Sequence, residues 1–357
     1  MKPYHGLSSV EQLARHLQAE ILAGTFGTML PGVHRLAREL GVSPKTVVAA
    51  VAQLTHEGLL EARGARRRHR INLPDGLSTR ALKIGVIPYE KGDMENPLEM
   101  RLTRHLEDAG HLLVFPGSSL QELKMDVARV EKMLTKYPVD AWIVIAGSRE
   151  VLEWFATQPF PTFALFGVMS GIDIAGGSAR KIPAMQAAVR RLVELGHRRI
   201  VMLTRKEKRQ PRPALFEQAF LDELEAHRII TGSYNLPDWG DVPGQVGPKL
   251  DALFRYTPPT AMLVVEAQIF LGVQHHLARR GIIAPERISL VSDDLIPSFE
   301  WIRPTVAHLY WDPELLLRGV LSWVRDVARG RTNRKKVFSS AEFIEGGTIG
   351  PVKGGTA

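Results

Sequence analysis

The sequence predicts a mixed α/β chain in two parts: a small head of three helices with an extended wing, then a two-lobed body on a doubly wound parallel sheet. Three observations carry this expectation. Apolar residues recur at helical spacing through the first 57 positions, a dense arginine run follows, and from Leu82 onward short apolar runs alternate with helical patterns. The 357 residues, 45% of them hydrophobic, leave room for two or three ordinary cores.

In the head, Val10, Leu13, Leu17 and Ile21 share one helical face, with Ser9 as a cap and Gly24 as a stop. A short helix over Arg35–Leu40 precedes Gly41. A third begins at Ser43, a natural N-cap, with Pro44 suited to the first helical position, and runs to about Glu57. Its Val47, Val51 and Leu54 face a core, which leaves Ser43, Lys45 and Thr46 presented at the exposed end. After Gly58 comes an extended segment with arginines at 63, 66, 67, 68 and 70. Helix, helix, presented helix and wing is the order of a winged helix-turn-helix.

The charge is distributed to match. The chain carries a formal +8, and residues 1–72 hold ten Lys or Arg against five Asp or Glu, so five of the eight positive charges sit in one fifth of the chain. Such a local excess is the footprint of a polyanion contact, here double-stranded DNA. Alternate side chains of an extended wing point opposite ways, so two or three of Arg63, Arg66, Arg67, Arg68 and Arg70 are expected to reach the duplex, gripping phosphates or entering a narrow minor groove. No apolar run is long enough for a membrane helix, the N-terminus lacks a signal-peptide core, and there is no cysteine, so a cytoplasmic protein without disulfides or thiolate metal sites is expected.

Residues 10–71 resemble the GntR family of bacterial DNA-binding domains through LPGVHRLARELGVSPKTV and HEGLLEAR. The resemblance departs from the family at Gly32, Val33 and His34, and at Pro44 and Val48, where the family commonly carries arginines. Charge therefore moves from helix to wing. The polar stretch NLPDGLSTR, Asn72–Arg80, reads as the linker, giving a DNA-binding domain over 1–72, a linker over 73–81 and a body over 82–351.

In the body the runs LKIGVIP, HLLVF, AWIVIAG and TFALFGV alternate with helices near Pro97–Ala109 and over 120–136. The pattern repeats with helices near 182–195, 215–226, 246–255 and 268–280 and the runs IVML, AMLVV and ISLVS. Two similar lobes imply a cleft, with ligands beyond the carboxyl ends of the strands. This region resembles the sensor domain of LacI/GalR repressors, related to periplasmic sugar-binding proteins, through RRLVELGHRRIVML, PTAMLVVEAQIFLGVQHHLARRGIIAPERISLVSDDLIP, PTVAH and FIEGGTIGP. The resemblance implies a periplasmic-binding-protein-like fold with a first lobe of about 82–168 plus 309–330 and a second of about 169–308 plus 335–351. A GntR-like head on a LacI-like sensor resembles the arabinose-repressor type of architecture.

Seven effector-binding candidates follow. Asp294 matches the first acid of the family's Asp-Asp motif and either accepts sugar hydroxyls or caps the following turn. Glu266 and Ala267 stand where the family has Asn-Asp, and Glu266 either meets ligand or caps the next helix. Trp239 either stacks on a sugar face or covers a core edge. Tyr89 and Glu90 end the first strand, Arg212 lies near the family's ligand-binding arginine, and His308 follows the PTV turn. RKEKRQPR, Arg205–Arg212, reads as a solvated loop, with an anionic effector as the alternative, and His197 reads as structural.

Enzyme chemistry finds little support in the sequence: GGSAR lacks the phosphate-loop pattern, GxGxxG and GxSxG are absent, and Asp293 and Asp294, adjacent on an extended chain, point apart. No cofactor or metal motif is present. The expected protein is a homodimeric transcriptional regulator, a repressor, whose operator binding is set by a small carbohydrate effector. A ligand-independent regulator, or one answering to another ligand, is the alternative.

Overall fold

The computed structural model describes residues 9–22, 26, 29–62, 69–72, 80–90, 97–239 and 242–352. Arg63, Arg66, Arg67 and Arg68 of the wing, and residues 73–79 of the expected linker, lie outside the described residues. Packing divides the chain into two units: residues 1–178 with 313–337, and residues 179–312 with 338–357.

The head of the first unit holds α1 (Ser9–Leu22), α2 (Val33–Glu39) and α3 (Pro44–His56), followed by the antiparallel pair β1 (Leu60–Glu61) and β2 (Arg70–Ile71). Leu13, Leu17 and Ile21 of α1 meet Leu36 of α2 and Val47, Val51 and Leu54 of α3 in one buried core, closed by Leu60 and Ile71. The Ser43 hydroxyl accepts the Thr46 backbone N–H at 3.1 Å and satisfies one of the donors that a helix start leaves orphaned. Gly41, at φ +65°, supplies the left-handed turn that lets α3 double back on α2.

The body of the first unit runs β3 (Lys83–Ile87), α4 (Pro97–Asp108), β4 (Leu112–Val114), α5 (Val127–Leu134), β5 (Ala141–Ile145), α6 (Arg149–Thr157), β6 (Thr162–Leu165) and β7 (Ala175–Arg180). The strands lie in the order β4-β3-β5-β6-β7, all parallel, and β5 and β6 are buried along their whole length because helices cover both faces. The single helix expected over 120–136 is shorter. Lys124 and Met125 adopt φ of +58° and +54°, and α5 begins only where the Asp126 carboxylate accepts the Arg129 N–H at 2.9 Å.

The second unit contains α7 (Ile182–Glu194), β8 (Ile200–Leu203), α8 (Lys206–Arg209), α9 (Leu215–Ala226), α10 (Pro243–Tyr256), β9 (Ala261–Val264), α11 (Ala267–Arg279), β10 (Ser289–Ser292), a 3-10 turn over Pro297–Trp301 and β11 (Ala307–Trp311). The chain then returns to the first unit for α12 (Pro313–Ala328), and β12 (Lys336–Ile344) brings it back. Here the order is β12-β11-β10-β9-β8, parallel except for the antiparallel pairing of β11 with β12. Asn235 lines the outer edge of β8: its carbonyl accepts Met202 N–H at 2.8 Å and its amide donates to the Ile200 carbonyl at 2.9 Å. His197 is buried against Ser289 Oγ and the Gly350 carbonyl, at 2.9 and 3.0 Å, in the structural role the sequence indicates.

One close approach fixes the core of the first sheet. A Cβ built on Gly85 of β3 would lie 2.2 Å from Cε3 of buried Trp142 on the neighbouring β5, so the indole occupies the space a side chain would need. Gly85→Ala is expected to lower stability by about 1–3 kcal/mol through overpacking, read from urea unfolding. The same change in a Trp142→Leu background should cost less, since the clashing ring is gone.

Candidate functional site

Charged side chains of the second unit gather where its parallel strands end. Lys181, the residue after β7, places its ammonium 3.3 Å from Asp293 Oδ2 and 3.1 Å from Asp294 Oδ2, both just beyond β10. The remaining oxygens are also engaged. Asp293 Oδ1 accepts the Glu266 backbone N–H at 2.7 Å, and Asp294 Oδ1 accepts Leu295 N–H at 2.8 Å and the Trp311 indole N–H at 3.1 Å. Asp293 is almost wholly buried, whereas the Asp294 side chain keeps 34% of its surface. Burial pushes the Asp293 carboxyl above the usual carboxylate range, and the two acids outweigh burial at Lys181 and hold its pKa above that of a free lysine.

A second ion pair sits at the ends of β8 and β9. Arg205 grips Glu266 bidentately, Nε to Oε1 at 2.5 Å and Nη2 to Oε2 at 2.7 Å. Glu266 occupies the N-cap position of α11 at φ +75°, and its side chain makes no cap hydrogen bond. The arginine-rich segment departs from a solvated loop in part: residues 206–209 form α8, and Arg209 is buried, with Nε on the Thr204 carbonyl at 3.2 Å and Nη2 on Asp238 at 3.2 Å. Trp239 is only 4% exposed and belongs to the core between β8, β9 and α11, its indole N–H donating to the Thr204 carbonyl at 2.8 Å.

The other expected ligand contacts are spread over both units. His308, on β11, places Nδ1 2.8 Å from the Val306 carbonyl and lies edge-on to Phe299. Arg212 is exposed in the loop before α9. Tyr89 and Glu90 belong to the first unit and follow β3 at the point where its strand order reverses, a usual ligand position in such sheets. In the head, Ser43 and Lys45 are exposed at the start of α3, Thr46 is half-buried, and Arg70 is exposed on β2 opposite Glu61. Among the described residues, no group of His, Asp and Glu is placed to hold a metal, and no helix is long and apolar enough to cross a membrane.

Thus the structure brings Glu266 and Asp294 together with three residues that the sequence reading did not assign: Lys181, Arg205 and Asp293. Lys181 is 112 positions away from Asp293 and carries no motif; only the strand order reveals the pair. The arrangement is a hydrogen-bonding platform of two cations and three acids, whose partly exposed Asp294 and Glu266 oxygens keep lone pairs for hydroxyl donors.

Beside it lies Glu217 on α9, buried, with Oε1 accepting the Thr204 hydroxyl at 2.7 Å and Oε2 without a partner. Burial raises its carboxyl above the ordinary value. A folded-state pKa above the unfolded value of about 4.3 means that the native state binds the extra proton, so this group's contribution declines as pH climbs through the folded value. Glu217→Gln keeps the Thr204 contact without the charge. Its unfolding temperature should match the parent near pH 4.5 and exceed it at pH 8, by an amount equivalent to about 1 kcal/mol.

Comparison with known proteins concerns the two domains and the fold that carries this arrangement. Residues 9–68 match the bacterial regulatory proteins of the gntR family, and residues 189–349 match the periplasmic binding protein-like domain. No curated protein matches the chain. Among solved structures, a LacI family transcriptional regulator from Enterococcus faecium with bound ribose is similar at TM-score 0.60 and 18% identity, over 76% of this chain and all of that one. The lac repressor dimer bound to operator and the anti-inducer ONPF gives 0.57 and 17%, over 78% and 99%. A complex of the transcriptional regulator CelR with cellobiose gives 0.59 and 16%, over 89% and 100%. The chain therefore joins a GntR-type DNA-binding domain at its N-terminus to a periplasmic-binding-protein-like domain with the fold of LacI-type regulators.

Proposed function

We propose that the protein is a cytoplasmic transcriptional repressor that binds a near-palindromic operator as a homodimer and releases or retains it according to a sugar or sugar derivative. The observation that carries this reading is the union, in one chain, of a GntR-type head with a body whose structural relatives hold ribose and cellobiose. Asp294 and Glu266, partly exposed at strand ends, supply the acceptors that a polyhydroxylated ligand requires. The lac repressor relative binds its operator as a dimer, and two heads on two half-sites explain a palindrome. No catalytic role is assigned, because the carboxylates at the strand ends are engaged in positioning contacts rather than set as an acid and base pair. An effector acts only through its unequal affinity for the two states of the protein.

Selection of bound duplexes from a random pool is expected to recover an inverted repeat; a single unpaired site would refute the dimeric reading. Replacing Arg66, Arg67 and Arg68 together with alanine should weaken binding across sequences and flatten log K against log salt by about 2–3, from about 0.9 for each lost phosphate contact. A thermal-shift panel of pentoses, hexoses, disaccharides and their phosphates should give one stabilising class, abolished in Asp294→Ala. A flat response throughout would favour the ligand-independent regulator.

A further inference from the structure

The head of the first unit is joined to the body by more than its linker. Arg35 of α2 donates from Nη1 to Asp108 Oδ2 on α4 at 2.6 Å and points Nη2 at His105 Nδ1, 3.5 Å away. Its Nε is held by Glu39 of its own helix at 2.7 Å, so the guanidinium is committed at three corners. The Arg35 and Asp108 side chains keep only 22% and 26% of their surface, which leaves the pair less screened than one on an open surface. Burial, and then the Arg35 charge, hold the His105 imidazole below its usual pKa, which keeps a neutral ring facing the guanidinium. A second approach has the opposite polarity: the Glu20 carboxylate of α1 is close enough to act on the Arg325 guanidinium of α12.

Asp108 is the last residue of α4, where the helix dipole disfavours an acid, and Arg35 across the gap supplies the compensation. The receiving helices α4 and α12 pack side by side, and Arg101 pairs with Glu314 between them. The entry to β3 is pinned as well: Arg80 Nη2 and the Lys83 N–H each donate to the Asp140 carboxylate at 2.8 Å. With these contacts made, Ser43, Lys45 and Val48 at the start of α3 stay exposed. The contact therefore orients the head without covering its reading edge. We propose that docking of α1 and α2 on α4 and α12 fixes the direction in which each head presents α3, and that Arg35 and Asp108 are positioning residues that set the half-site spacing a dimer accepts. The spacing role rests on the dimeric operator reading given above, whereas the docking itself does not.

The chain has no cysteine, so a pair of labels can be placed at will. Spin labels on His16→Cys in α1 and Lys132→Cys in α5, both exposed, should give one narrow distance in the full-length protein without DNA. Asp108→Ala should broaden it, the exposed control Glu107→Ala should not, and the charge exchange Arg35→Asp with Asp108→Arg should narrow it again. A broad distance in the parent, or equal widths in the parent and Asp108→Ala, would overturn the docking. On DNA, two base pairs inserted between the half-sites turn one of them by about 70° around the duplex, which should cost the parent about tenfold or more in affinity. Asp108→Ala should lose less than about threefold, with its affinity for a single half-site unchanged. Equal spacer penalties in the two proteins would overturn the positioning role. Failure of every duplex to bind would instead count against the operator reading, and the label distances, taken without DNA, would still decide the docking.

Discussion

The second unit depends on one half-buried cation. Two adjacent acids at the end of β10, one of them almost wholly buried, repel each other unless an opposite charge meets them, and Lys181, arriving from β7, supplies it. Because Asp293 also holds the backbone of Glu266 and Asp294 also holds the indole of Trp311, the ammonium anchors the exits of four strands at once. Removing a partner from such a cluster strands a charge, so the positions at these exits are coupled and respond to substitution together. The likeness to regulators that hold ribose and cellobiose extends to the fold that carries this cluster, while the cluster's own composition is read from this chain.

The head obeys a different constraint. Its helical start is satisfied from within: Ser43 Oγ accepts the Thr46 N–H and lies 2.7 Å from the Thr46 hydroxyl, so two of the three polar residues at the tip of α3 are committed to each other. Lys45 remains the extended cationic side chain there, beside exposed Val48. On the wing, pairing fixes direction: Leu60 opposite Ile71 turns both inward, which sends Glu61 and Arg70 outward together. An acid thus stands opposite Arg70 on the wing.

Much of this fold is legible in the sequence because its periodicities are strong. The helices of the head, the apolar runs at β3, β5, β6, β8, β9 and β10, and the helix Leu215–Ala226 announce themselves. What escapes has a physical cause in each case. AGGSAR forms β7 although its two glycines carry no apolar signal, and β12 is half-exposed, so neither reads as a core strand. Residues 120–125 look helical by pattern, yet two left-handed residues and the Asp126 cap delay α5. The site divides along the same line. Asp294 and Glu266 stand at motif positions, but Lys181 and Arg205 are partners only through tertiary pairing, and the indole of Trp239 finds a carbonyl inside the core that no local pattern foretells.

Glu266 is held in two separate ways. Its main chain is fastened by Asp293 through an N–H that every residue except proline possesses, while its side chain is fastened by Arg205. The loop's course and the loop's chemistry are therefore independent variables. Glu266 and Arg205 can be exchanged as a pair, altering the chemistry displayed at the strand ends, without removing the backbone contact to Asp293. Such a division lets the exposed chemistry of the body change by few steps while the strand exits beneath it keep their course.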